Sequence, residues 1–183
     1  STFNLLLEAG YTCKSLMNYI DYCKTYEAIE DIDYLVREIY DYVKMMREIS
    51  PKFDKYPRHF LTTHKIACRN YNRLKQQFEE DKFKARINLD MERTFGIYSF
   101  ICPKCIQDIK DEAVAQNNCV ASYIQRVIDG GCHILFLRLK DSPDESLVTI
   151  EVRNNVIVQA RQRFNDPVTS EQQEAIDKWN KWW

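Results

Sequence analysis

Cys102-Pro103-Lys104-Cys105 is a CxxC. Two thiolates at this spacing can share a tetrahedral zinc ion or cycle through a disulfide. A zinc site needs two further ligands, and Cys119, Cys132 and His133 are the nearest in sequence. Their spacing matches no ribbon or finger. The pair reads as a turn with two incidental thiols, and neither metal nor cofactor is expected. Cys119 sits beside Asn118 at the start of a helical stretch. A helix N-terminus can acidify a thiol into a nucleophile. No His lies close to it in sequence, and Val120 and Tyr123 mark a packed face. A buried Cys acting as a small hydrophobe is the simpler reading. No residue is assigned a catalytic role.

A second set of polar residues falls on strand-like segments: Arg138, Glu151, Gln159, Arg161 and Arg163. Strand alternation puts Glu151 and Arg153 on one face, and Gln159, Arg161 and Arg163 on one face of the next strand. Val148, Ile150 and Val152 take the opposite, core side. Cross-strand Glu–Arg pairing is the plain reading. The functional one is an Arg-bearing sheet face that binds phosphate or a nucleobase. His64, Cys119, Tyr123, Glu151 and Gln159 make a possible polar site.

The third set is cationic. Residues 1–50 carry five Lys/Arg against nine Asp/Glu, and residues 51–90 carry ten against five. Within the basic block, Lys65, Arg69 and Arg73 follow i, i+4, i+8 on one helix face. Such a face is usually just solvated, and otherwise it contacts a phosphate backbone, here with Tyr71 and Phe78. Together with Arg138, Arg161 and Arg163, these three are the candidate nucleic-acid contacts.

These residues need elements to hold them. Ile32, Leu35, Val36, Ile39, Tyr40, Val43 and Met46 recur with helical period, so 31–49 is an amphipathic helix capped by Asp31 and ended by Ser50-Pro51. Shorter helices precede it at 3–9, stopped by Gly10, and at about 12–28, capped by Thr12. A fourth begins near Pro57 and runs to the late 80s. Beyond Glu92 the period changes. The segment 94–101 reads as a strand, 106–129 as a helix broken near Asn117-Asn118, and 132–139, 146–153 and 156–163 as strands. Asn154-Asn155 has two-residue hairpin spacing. A last helix, 169–182, is capped by Thr169 or Ser170, and the i, i+3 pair Trp179 and Trp182 marks its buried face. The fold class is α+β: a helical half, 1–92, packed on a small, mainly antiparallel sheet of about four strands with flanking helices, 93–183, together one compact unit.

The chain has 183 residues, 45% hydrophobic and 13% aromatic, which suits a globular fold rather than disorder. No run of 18 or more apolar residues is present, so no membrane span and a cytoplasmic location are expected. The odd count of seven cysteines favours free thiols. A net charge of −1 makes no global case for nucleic acid. The chain opens on Ser1 without a Met, as a fragment or a processed product would.

Asn117-Asn118-Cys119-Val120-Ala121-Ser122-Tyr123, then Ile134-Leu135-Phe136-Leu137-Arg138, Val148-Thr149-Ile150-Glu151-Val152 and Val158-Gln159-Ala160-Arg161 follow an order that resembles the PcfJ-like family. Upstream, Asp21-Tyr22, Tyr56-Pro57-Arg58 and His64 extend the likeness over residues 20–180. Relatives place a His just before the Cys-Val pair, where this chain has Asn117-Asn118. That departure speaks against Cys–His chemistry at Cys119. The resemblance implies a setting in conjugative plasmids, integrated elements or phages, and longer relatives with extra sequence upstream. The expectation is a non-enzymatic accessory protein that binds DNA, RNA or a nucleoprotein complex. The alternatives are an enzyme using Cys119 or a Glu/Gln/Arg/His cluster, and a phage-encoded inhibitor of a host defence protein; a protein of a transfer or defence complex is the other partner expected.

Overall fold

The structure is a computed structural model that describes residues 2–183. The chain divides into two compact units, one running to Gln77 and the other beginning at Phe78.

The first unit is helical: α1 (Thr2–Glu8), α2 (Cys13–Tyr26), α3 (Ile32–Ile49) and the first turns of α4 (Phe60–Arg86). Thr12 and Ser15 close a capping box on α2, and the Asp31 side chain accepts from the Tyr34 amide on α3. The core joins Leu6, Leu16, Tyr19, Leu35, Ile39, Val43 and Phe60. The α4 helix starts at Phe60 rather than near Pro57, because the preceding segment is held open by tyrosines. Tyr42, Tyr11, Tyr19 and Tyr22 hydroxyls donate to the carbonyls of Asp54, Lys55, Pro57 and Arg58, at 2.7, 2.6, 2.8 and 3.1 Å. Glu27 then accepts from the Leu61 amide in the first turn of α4, 2.9 Å away, where the helix has spare donors and a positive dipole end.

The second unit is built on an antiparallel sheet in sequential order: β1 (Arg93–Phe95), β2 (Tyr98–Ile101), β3 (His133–Leu139), β4 (Val148–Arg153) and β5 (Val156–Arg161). Residues 94–101, expected as one strand, form a hairpin instead: Gly96 turns at φ +60°, and Phe95 pairs back onto Tyr98. That supplies the fifth strand. The α5 helix (Ile106–Gln116) ends at Asn117, whose φ of +48° is left-handed. A short 3₁₀ turn follows, then α6 (Ile124–Ile128). Asn154 and Asn155 both take positive φ, the conformation a two-residue hairpin requires. Last comes α7 (Ser170–Trp182), opened by a Thr169–Gln172 capping box.

The sheet has two unlike faces. Leu135, Leu137, Val148, Ile150 and Val152 bury against Ala175, Ile176 and Trp179 of α7. The Trp179 indole donates to the Met91 carbonyl at 2.9 Å, and Trp183, half-buried, stacks on it with ring centroids 5.9 Å apart. On the other face, Ile134 and Phe136 pack with Ile109, Val120, Val127, Ile128 and Phe83. That face also carries the polar residues of interest.

Candidate functional site

Register sets the polar face. Ile134, Glu151 and Gln159 lie abreast across β3, β4 and β5, and so do Phe136, Thr149 and Arg161. In regular alternation Ile157 and Gln159 would share a face. A bulge opposite Glu151/Val152 breaks the alternation at Val158: Ile157 pairs with Val152 on the core side, and Gln159 pairs with Glu151 on the polar side. The bulge is what lets β5 give an apolar residue to one layer and Gln159 and Arg161 to the other.

The inner end of this face is a closed polar network. Glu112 is on the buried stripe of α5 with Ile109 and Gln116. Its carboxylate takes both ends of the Arg138 fork, at 2.5 and 3.3 Å, with Ser146 and Thr149 hydroxyls donating at 2.8 and 2.9 Å. The two side chains are 2% and 7% exposed, so neither charge is solvated and each depends on the other. Asn118 donates to Thr149 at 3.2 Å, and Gln116 donates to Ser146. The Gln116 Oε1 atom is buried with no hydrogen-bond partner among the described residues.

The outer end is open. Glu151 is buried, and its carboxylate is clasped by Arg153 at 2.6 and 3.1 Å and by Arg126 of α6 at 3.3 Å. This is pairing along the strand and from a helix, not the cross-strand pairing expected. Arg126 also lies over the Tyr123 ring, 4.8 Å from its centroid. Beside Glu151 is a pocket of about 50 Å³, lined by Asn118, Cys119, Val120, Tyr123, Thr149, Glu151, Gln159, Arg161 and Asn165. Phe164 and Asn165 sit at φ +60° and +61°, in a turn held by the Gln162 amide on the Asp166 carbonyl at 2.9 Å.

The structure thus gathers Cys119, Tyr123, Glu151, Gln159 and Arg161 around one pocket. Cys119 is exposed rather than the buried hydrophobe expected, because it precedes the 3₁₀ turn while Val120 takes the core position. Arg138 is 6% exposed and consumed by Glu112, so it offers nothing to a phosphate in solvent. Arg163 lies past the end of β5, in a 3₁₀ turn, with its guanidinium over the neighbouring Phe164 ring. Lys65, Arg69 and Arg73 are all exposed on α4. His64 is not among the pocket residues. It belongs to the first unit, where its Nδ1 meets Glu38 at 2.8 Å and its Nε2 lies 3.5 Å from the Cys68 sulfur. That order of thiol, imidazole and carboxylate is the order that activates a nucleophile. Here burial, then the Asp41 and Glu38 carboxylates, push the Cys68 thiol up and keep it protonated.

The CxxC thiols part company. Burial and the Glu92 carboxylate push Cys102 up to about 12, and its Sγ donates to the Asn88 carbonyl at 3.3 Å, while Cys105 is the extended N-cap residue just before α5. Among the described residues, no group of three or more His, Cys, Asp or Glu side chains could hold a metal ion. Reading the sequence missed Glu112, Arg126, Thr149 and Asn165. Glu112 alone left a signal: a carboxylate three residues after Ile109 and four before Gln116, on the face that must turn inward.

The PcfJ-like protein family model matches residues 38–176, most of the chain and all five strands. The chain belongs to the PcfJ-like family. It is also 33% identical over 147 residues to "Uncharacterized protein Lin1253/Lin1744" of Listeria innocua serovar 6a. That match covers 76% of this chain and 32% of the other, so the chain spans about a third of that relative's length. No solved structure matches it. The matched stretch contains every residue that lines the pocket, and also Lys65, Arg69 and Arg73.

Proposed function

We propose that this PcfJ-like chain is a non-enzymatic accessory protein of a mobile genetic element that binds nucleic acid through the phosphate backbone. One observation carries the reading: Lys65, Arg69 and Arg73 are co-facial and exposed on α4, in a stretch, 55–78, without a single Asp or Glu. Among the described residues, no side chain of α4 between Ala67 and Phe83 is buried, so these turns are open to a ligand. At 1.5 Å per residue the three cations span about 12 Å, and duplex DNA carries one charge per about 1.7 Å of axis. Nothing in such a face reads base edges, so binding is independent of sequence.

Fluorescence anisotropy at low salt, with labelled single- and double-stranded DNA and RNA, tests this. The wild-type chain binds, and the Lys65→Glu/Arg69→Glu/Arg73→Glu variant does not, while its circular dichroism stays unchanged. Cys119→Ser binds as wild type. Absence of wild-type binding to all four polymers sinks the reading and moves a protein partner, in a transfer or defence complex, to first place.

The pocket favours a second reading, a small-molecule site in the second unit. It collects an exposed thiol, a guanidinium and three carboxamides. It has no His lining it, so a Cys119 nucleophile would lack an imidazole base there, and the Glu151 carboxylate is engaged by Arg126 and Arg153.

A further inference from the structure

The pocket between the Cys119 turn and β5 has a definable ligand chemistry. It is lined by Val120 and Tyr123, by Arg161, Gln159, Asn165 and Cys119, and by Asn118, Thr149 and Glu151. Glu151 looks at first like an obstacle to an anion. Its carboxylate, however, is held by Arg126 and Arg153 and buried at 4% exposure. Arg126 and Arg153 together more than neutralise Glu151, and Arg161 adds a further guanidinium to the pocket lining. Arg153 and Arg126 are spent on Glu151. Arg161 stands opposite Thr149, whose hydroxyl is turned to Glu112.

Size narrows the occupant. About 50 Å³ is room for a few waters, at 10–15 Å³ each, or for one small oxyanion, and not for a whole nucleobase. A carboxylate would present two oxygens and one charge. A phosphate monoester presents three oxygens and close to two negative charges at neutral pH. The lining can supply an Arg fork, carboxamide N–H₂ groups from Gln159 and Asn165 and the Tyr123 hydroxyl, more donors than two oxygens use.

We propose that this pocket binds the terminal phosphate of a phosphate monoester, with Arg161 as its anchor, Gln159 and Asn165 as further donors, and Tyr123 under the organic part. Cys119 is part of the lining and reports occupancy. The site is in the second unit and does not depend on the cationic face of α4.

The test is protection of Cys119 from iodoacetamide in the full chain, followed by peptide mass mapping, with phenyl phosphate as the probe. Exposed Cys13 is the internal control. Millimolar phenyl phosphate slows alkylation of Cys119 and leaves Cys13 untouched. Arg161→Gln weakens the protection at least about tenfold, the loss of a charged hydrogen-bond anchor, with the unliganded Cys119 rate retained. Lys65→Glu/Arg69→Glu/Arg73→Glu retains full protection. The proposal is overturned if phenyl phosphate gives no protection, if protection survives Arg161→Gln, or if phenylacetate protects as well as phenyl phosphate. Equal protection by benzyl alcohol overturns it too, since the pocket would then be reading the ring alone.

Discussion

The two units solve the burial of polar groups in opposite ways. The first fastens its long loop with tyrosine hydroxyls on backbone carbonyls, at 2.6 to 3.1 Å, and keeps Lys65, Arg69 and Arg73 outside. The second draws charge into the layer between sheet and helices, where Glu112 and Arg138 hold each other and Glu151 is clasped by two arginines. A neutral hydroxyl–carbonyl bond is a modest, local gain. A buried ion pair is worth little net but is costly to break, so it fixes geometry rather than adding stability. The consequence for function is a division of means. The first unit offers an exposed cationic helix face; the second offers a pocket beside a buried polar network.

The largest expected effect comes from cutting the chain. A fragment 93–183 lacks Phe83, which is 0% exposed in the layer with Ile109, Val127 and Phe136, and lacks Met91, which packs beside Trp179 and accepts its indole N–H. It is expected to be molten or poorly soluble, whereas 78–183 folds cooperatively. Near-ultraviolet circular dichroism separates the two, and a cooperative 93–183 fragment would show that the end of α4 is dispensable.

Next in size is the buried pair. Arg138→Met leaves Glu112 as a desolvated carboxylate and costs about 3–5 kcal/mol. Adding Glu112→Leu recovers most of that loss. All three tryptophans lie in the second unit, so urea unfolding followed by tryptophan fluorescence reads this change directly. In the first unit, Tyr19→Phe removes the donor to the buried Pro57 carbonyl and costs about 1–3 kcal/mol. That loss should appear in far-ultraviolet circular dichroism and leave the tryptophan transition in place. A shared shift in both signals would mean that the units unfold as one.

The sequence carried much of this frame through local rules. The α3 stripe, the Thr12, Asp31 and Thr169 caps, the break at Asn117 and the Asn154-Asn155 hairpin all follow from side-chain chemistry acting within a few residues. What escaped was non-local. The turn at Gly96 was hidden because aromatic and β-branched residues continue on both sides of it. Tyrosines from α2 and α3 delayed the start of α4, and nothing near Pro57 announces them. Gln159, Arg161, Glu151, Tyr123 and Cys119 could be named from strand parity and motif, but Arg138 could not be told from Arg161. Only the position of Glu112 on α5 decides which of the two is buried.

The smallest effect is a pH dependence. Burial, then the Arg86 guanidinium, lowers the His133 imidazole below its ordinary value of 6.5. Protonation therefore favours the unfolded chain. Stability is unaffected well above pH 6.5, falls as pH drops through 6.5 toward the lower folded value, and is level again below it. His133→Gln should flatten that segment of a tryptophan-monitored stability profile, and an unchanged slope would assign it to other groups.

The most direct test of the central claim, that the α4 cations contact phosphates, is the salt dependence of nucleic-acid affinity. Three neutralised phosphates on duplex DNA give a slope of log K against log salt of about −2.7, a loss of about 40-fold over a fourfold rise in salt. Replacing Lys65, Arg69 or Arg73 singly with Ala should each reduce the slope by about 0.9, while Arg161→Gln leaves it unchanged. A slope that ignores the three α4 changes, or that falls with Arg161→Gln instead, would contradict the account.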